Sequence, residues 1–242
     1  MGGGILVPVV VALIALAAGT LAAVAGFGGA VVLLPVLIWA FGVRDAVPIL
    51  TVAQLVGNGS RVWFNRRELV LRLAGWFALG AVPLSVLGGI IFAAAPAPFL
   101  KRLLGVFLLI MLLSRRTDAG KRMRVGLRGF AVVGAAFGFL SALVGTVGPL
   151  AAPFFLSYGL VKGAYIGTEA LTALTMHAVK LGVYGGYALL DLRSVLTGLA
   201  VGVFLLIGAA IGKHLLDRVP ERIFPRLVEA VLLLSGVQLL FA

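Results

Sequence analysis

The sequence predicts an all-α polytopic membrane protein made of two inverted four-segment repeats, each opening with a glycine-broken hairpin. Three observations carry that prediction. Of the 242 residues 62% are hydrophobic and the mean hydropathy is +1.19, well above the roughly half-apolar composition of soluble domains. The apolar runs are continuous over membrane-spanning lengths and do not alternate as the strands of a transmembrane barrel do. The first run, residues 5–41, is 37 residues long, far more than the ~20 that one helix needs to cross a bilayer.

That first run breaks at Gly26-Phe27-Gly28-Gly29, because glycine alone tolerates positive φ and close backbone approach without a Cβ penalty. After a short polar link (Gly42, Val43, Arg44, Asp45), a second segment covers residues 46–64 and meets a basic loop containing Arg66, Arg67 and Arg72. A third segment, residues 73–95, stops at Pro96-Ala97-Pro98, as helices do before proline. A fourth covers 99–113. Residues 114–128 carry six basic side chains and one acid and read as a solvated cytoplasmic loop. The order then restarts. A long run over 130–158 is interrupted at Gly145-Thr146-Val147-Gly148-Pro149, followed by segments over 165–190 and 194–211, a charged loop over 213–226 and a closing segment over 227–241. The domain organisation expected is a first membrane repeat (1–113), the basic loop (114–128) and a second membrane repeat (129–242), the two repeats forming one transport domain.

The halves superpose at an offset of about 119 to 123 residues. Gly19 and Gly26 fall on Gly138 and Gly145, Pro35 near Pro153, Arg61 on Lys180, Gly75 on Gly198 and Gly89 on Gly212. An ordered series of this kind points to internal duplication. Charge counting decides the relative orientation. If each broken run crosses the membrane once, ten basic residues lie inside and eight outside. If each folds back as a hairpin, the second half inverts, and fourteen lie inside against four outside. The second arrangement fits the positive-inside rule. The second limbs, 30–41 and 150–158, are then half-helices of about 18 and 14 Å at 1.5 Å per residue. Their N-terminal N–H groups, free at membrane depth and carrying partial positive charge, suit an anion.

The net charge of +12 belongs to these short loops, so nucleic acid is not an expected partner. The expected partners are a small anionic substrate and the lipid bilayer, with a homodimer left open. Zero cysteines exclude disulfides and cysteine-held metals, and no cofactor is expected. The N-terminus lacks a basic n-region, so the first span is expected to be retained.

Polar side chains inside spans are costly and often functional. In the second segment Thr51, Gln54, Asn58, Arg61 and Asn65 recur every three or four residues, within an arc of roughly 80° on a helix. In the sixth, Glu169, Thr172, His177, Lys180, Tyr184 and Tyr187 occupy an arc of roughly 140°. Both stripes are expected to face protein or water. Arg61 and Lys180 would supply positive charge to an anion path, with Gln54, Asn58 and Thr172 donating hydrogen bonds and the tips Gly26, Gly28, Gly29, Gly145, Thr146 and Gly148 offering backbone. Arg61 could instead reach the interface, and Lys180 could serve a structural ion pair. His177 and Glu169 are the proton-coupling candidates; the alternatives are a hydrogen-bonded core histidine and an acid in the first turn of its helix. Trp39, Trp63 and Trp76 read as interfacial anchors.

An intramembrane hydrolase using Ser141 or Ser60 with His177 is conceivable, but no Gly-x-Ser-x-Gly elbow and no metal-ligand spacing occurs. The chain is therefore not expected to be an enzyme. The pattern Gly19-x6-Gly26-Phe27-Gly28-Gly29 with Pro35, repeated as Gly138-x6-Gly145-Thr146-Val147-Gly148-Pro149 with Pro153, resembles the TauE/SafE sulfite-exporter family across essentially the whole chain. Thr146-Val147 departs from the more glycine-rich tip usual there. The resemblance implies a multi-pass carrier in a prokaryotic cell (inner) membrane, often an exporter, for small sulfur-containing anions such as sulfite, sulfonates or thiosulfate. The expected mechanism is alternating access, with proton coupling a further expectation. A channel-like anion facilitator or a non-transport membrane scaffold are the alternatives.

Overall fold

The computed structural model describes residues 3–27, 29–100 and 125–218, together with 102, 103, 106 and 220. Most of the segment expected over 99–113, most of the basic loop over 114–128, and the loop and segment expected beyond 218 lie outside the described residues. Among the described residues the secondary structure is helical throughout: α1 (Gly3–Ala25), α2 (Gly29–Phe41), α3 (Val43–Phe64), α4 (Leu71–Ala94), a 3-10 turn (Leu127–Gly129), α5 (Phe130–Val144), α6 (Gly148–Ser157), α7 (Lys162–Gly186) and α8 (Leu192–Asp217).

Four stretches are long and apolar enough to cross a membrane by length and composition: Leu6–Ala25, Leu71–Ala94, Leu127–Val144 and Leu192–Asp217. These are the α1, α4, α5 and α8 spans, and at most half of each is buried in protein, leaving apolar faces for lipid. The helices α3 and α7 carry the polar stripes, and they lie inside. Fourteen of the 22 residues of α3 are buried, against eight of the 24 in α4. The hydrophobic effect does not drive helices together in lipid, so a helix with polar side chains goes where protein can satisfy them.

Small residues set the close contacts. α1 packs on α8, where a Cβ at Gly212 would lie 2.5 Å from the Thr20 carbonyl oxygen; α5 packs on α4, where a Cβ at Gly138 would lie 2.5 Å from that of Ala81. α8 also packs on α3, and α4 on α7, while α3 and α7 meet each other at the centre. The ring of Phe130, the first residue of α5, stands edge-on to Tyr158 just beyond α6, with centroids 5.5 Å apart, and Phe137 meets Phe154 at the same separation. In the other half, a Cβ at Gly29 would lie 3.0 Å from Ala18 oxygen on α1.

Some boundaries differ from expectation, for local reasons. α3 begins at once after Gly42, whose φ of +78° turns the chain in a single residue. α7 starts three residues early, at Lys162, with φ +48° there. α8 begins at Leu192, where the Asp191 carboxylate accepts a hydrogen bond from the Ser194 N–H (2.7 Å). The Ser194 hydrogen bonds hold the Asp191 carboxyl below its usual range. Its far end is extended by the Lys213–Asp217 pair, 2.8 Å apart at i,i+4.

Candidate functional site

Each over-long apolar run breaks at a glycine of positive φ, Gly26 at +83° and Gly145 at +87°. Beyond the break a new helix starts, α2 at Gly29 and α6 at Gly148. A helix end leaves carbonyls without intrahelical partners and a partial negative charge. Both ends are met by a buried cation. Arg61, on α3, donates from Nη1 to the oxygens of Gly26 (2.7 Å) and Ala22 (3.4 Å). Lys180, on α7, donates from Nζ to the oxygens of Gly145 (3.2 Å) and Ser141 (3.2 Å), and to Ser141 Oγ (3.1 Å). Each cation reaches back the same 35 and 39 residues. Lys180 is fully buried and Arg61 is 5% exposed, so Arg61 does not reach for the interface.

The two cations differ in what else they hold. Arg61 Nη1 also lies 3.2 Å from Glu169 Oε2, and Nη2 donates to Asn58 Oδ1. Lys180 has its three donors directed at the end of α5. Glu169 stands seven residues past the start of α7, so it is not a first-turn acid stabilised by the helix dipole; its partner is Arg61, from the other half of the chain.

Between the breaks lies a cavity of about 30 Å³, room on the order of two waters. Its walls bring together Gly29, Gln54, Asn58, Arg61, Thr146 and Gly148, with Thr172, Glu169 and His177 completing the polar side. The N-terminal ends of α2 and α6 thus both border it. Two buried side-chain nitrogens in this wall, Gln54 Nε2 and His177 Nδ1, have no hydrogen-bond partner among the described residues, and a buried polar atom left without a hydrogen bond costs about 1–3 kcal/mol. Gln54 accepts from Asn58 Nδ2 through Oε1 (3.3 Å), which leaves its donor end for a ligand. Thr172 donates to Glu169 oxygen (2.8 Å) and Thr51 to Val47 oxygen (2.9 Å), each along its own helix.

Gly26, Gly145 and Lys180 stand behind this wall and do not line the cavity; they form its support. Gly28 lies outside the described residues. Of the stripes' outer members, Asn65 donates to Arg61 oxygen (2.8 Å), Tyr184 to Ala142 oxygen (2.7 Å), and Tyr187 is exposed. Trp39 and Trp63 are exposed, and Arg66 covers the Trp63 ring at 4.4 Å, while Trp76 is half-buried. Ser141 was not among the expected binding residues, yet it lines the cavity and holds Lys180. Its signal was its spacing, since it precedes Lys180 by the interval that separates Ala22 from Arg61.

Among protein-family models, that of the family described as "Sulfite exporter TauE/SafE" matches residues 11–239. No curated protein and no solved structure matches the chain.

Proposed function

The chain belongs to the sulfite exporter TauE/SafE family, a family of membrane transporters, and from that premise we propose that it is a secondary transporter moving a small sulfur-containing oxyanion by alternating access. The substrate site is the cavity between the two breaks. The observation that carries this reading is the pair of buried side-chain nitrogens, Gln54 Nε2 and His177 Nδ1, without a hydrogen-bond partner among the described residues, in a wall shared with Arg61 and the N-terminal ends of two short helices. Helix N-termini and a guanidinium attract anions, and a midplane site at broken helices is the arrangement of many secondary carriers. Gly29, Gln54, Asn58, Arg61, Thr146, Gly148 and Thr172 act as the binding wall, and Gly26, Gly145 and Lys180 hold the helix ends in place.

The two halves, 1–113 and 129–242, are inverted repeats forming one transport domain, with α1/α2 and α5/α6 as hairpins and 114–128 a cytoplasmic loop. Support comes from the equal 35- and 39-residue reach of Arg61 and Lys180. It comes also from the exchange in packing, α1 on α8 and α5 on α4, and from the Phe130–Tyr158 contact that brings the start of α5 against the end of α6. The membrane is a prokaryotic inner membrane, with the basic loops cytoplasmic.

A thermal-shift screen of the purified protein against sulfite, thiosulfate, sulfonates, sulfate and carboxylates, followed by counterflow in proteoliposomes, tests this. We expect stabilisation and exchange by one or more of the sulfur oxyanions and neither by carboxylates. No stabilisation and no exchange by any sulfur oxyanion overturns the reading.

A further inference from the structure

Resting on the transport reading above, we propose that the carried anion and the Glu169 carboxylate exchange places on Arg61, so that each anion bound brings one proton onto Glu169 and the coupling ion is H⁺, not Na⁺.

In carriers with broken helices, a coupling cation is coordinated by the carbonyl ends of the half-helices. Here the carbonyl ends at the two breaks, those of α1 and α5, already hold tethered cations. Gly26 and Ala22 oxygens accept from Arg61, and Gly145 and Ser141 oxygens from Lys180, both side chains buried. A metal ion placed at either end would lie against a fixed positive charge. The side-chain cations therefore occupy the coordination that Na⁺ would need, and the coupling ion must act elsewhere.

Arg61 and Glu169 both line the cavity and lie 3.2 Å apart. An anion entering beside them meets a pair with no net charge. It gains a charge-assisted bond to Arg61 only by displacing the carboxylate, and a displaced carboxylate, buried and unpaired, costs several kcal/mol. Protonation removes that cost: Glu169 COO⁻ takes a proton from the compartment the cavity faces and becomes COOH, and the anion takes the carboxylate's place on Arg61. Release on the other side reverses both steps, the anion leaving, the proton leaving and the ion pair re-forming. Because the coupling is reciprocal, lower pH tightens anion binding, up to about tenfold per pH unit while Glu169 is ionised.

Among the described residues, the groups facing Glu169 leave no other acid to do this. From α3 comes Arg61, and from α7 itself Tyr165, His177 and Lys180. The sequences of α1, α2, α5 and α6 contain no titratable side chain, and α4 contributes only the exposed Arg72. Among the described residues Glu169 is the one carboxylate lining the cavity. His177, whose Nδ1 has no hydrogen-bond partner among the described residues, is then a hydrogen-bonding group for the anion and not the proton carrier.

The test uses thiosulfate and methanesulfonate, which do not titrate between about pH 6 and 8, so any proton taken up belongs to the protein. Calorimetry on the wild type, in buffers of different ionisation enthalpy, is expected to give about one proton per anion and a Kd that falls with pH. Glu169→Gln is expected to flatten the Kd–pH slope; His177→Gln is expected to keep the slope, whatever it does to affinity. In proteoliposomes, replacing Na⁺ by choline is expected to leave uptake unchanged and an inward proton gradient to raise it. A proton count of zero, a slope that survives Glu169→Gln, or uptake requiring Na⁺ overturns the proposal while leaving anion transport intact. If Glu169→Gln does not fold, the wild-type proton count decides. Absence of any anion binding or exchange by the wild type instead overturns the transport reading itself, and this proposal with it.

Discussion

Lys180 and Arg61 occupy matching positions but do different work, and the difference lies in their second contacts. Lys180 has all three donors on Ser141 and Gly145. Ser141 oxygen also accepts from the Gly145 N–H (2.9 Å), so removing the ammonium orphans mainly the Gly145 carbonyl. Lys180→Met should therefore lower stability by about 1–3 kcal/mol, the cost of one buried unsatisfied group. Arg61→Gln should instead abolish anion binding, because Arg61 borders the cavity. Thermal denaturation in detergent and calorimetry with the stabilising anion separate the two outcomes; loss of binding in both variants with stability retained would place Lys180 at the anion after all. The sequence offered the two cations through their common offset of 119 residues. It could not offer the Arg61–Glu169 pair, since the residue that corresponds to Glu169 in the first half is Leu50. An ion pair spanning 108 residues leaves no periodic trace.

At the scale of the element, the two breaks share a backbone conformation and differ in surroundings. A side chain at φ near +85° costs about 1–2 kcal/mol, and that is the whole penalty at Gly145, where an added Cβ would find Leu50 Cδ2 at 3.4 Å and Leu34 Cδ2 at 3.6 Å. At Gly26 the same Cβ would run into the ring of Tyr165, a fully buried side chain of α7 that also meets Phe155 edge-on (6.4 Å). Overpacking of this kind adds roughly 1–3 kcal/mol. Gly26→Ala should accordingly destabilise more than Gly145→Ala, read as the larger fall in melting temperature; equal falls would mean that Tyr165 yields freely. The breaks were legible because clustered glycines in an over-long apolar run have few other uses. The inner position of α3 and α7 was legible from their polar stripes. The early start of α7 was not, because Lys162 at positive φ follows no residue preference and is set by tertiary contacts at its first turns, where a Cβ at Gly167 would lie 2.8 Å from Asn65 Cβ.

For the whole molecule, the inverted arrangement has a consequence that single crossings do not share. Three loops change sides between the alternatives, and two of them serve as reporters: the one before α7, carrying Lys162, and the one before α8, carrying Arg193. With α1/α2 and α5/α6 as hairpins, Lys162 is cytoplasmic and Arg193 external; with each broken run crossing once, both positions reverse. The loops at Arg67 and Arg44 keep their sides in either case, cytoplasmic and external, and serve as references. The chain contains no cysteine, so single cysteines at 44, 67, 162 and 193 can be introduced without first removing native ones. Arg44, Arg67 and Arg193 are exposed and Lys162 is half-buried, which gives a thiol reagent access to each. In intact cells an impermeant maleimide should label positions 44 and 193 and spare 67 and 162. Labelling of 162 with protection of 193 would mean that the long runs cross, that the halves are parallel, and that the N-terminal ends of α2 and α6 do not approach one site from opposite faces. The fourteen-to-four charge asymmetry favours the first outcome, because each basic residue moved to the outer side works against insertion in that orientation.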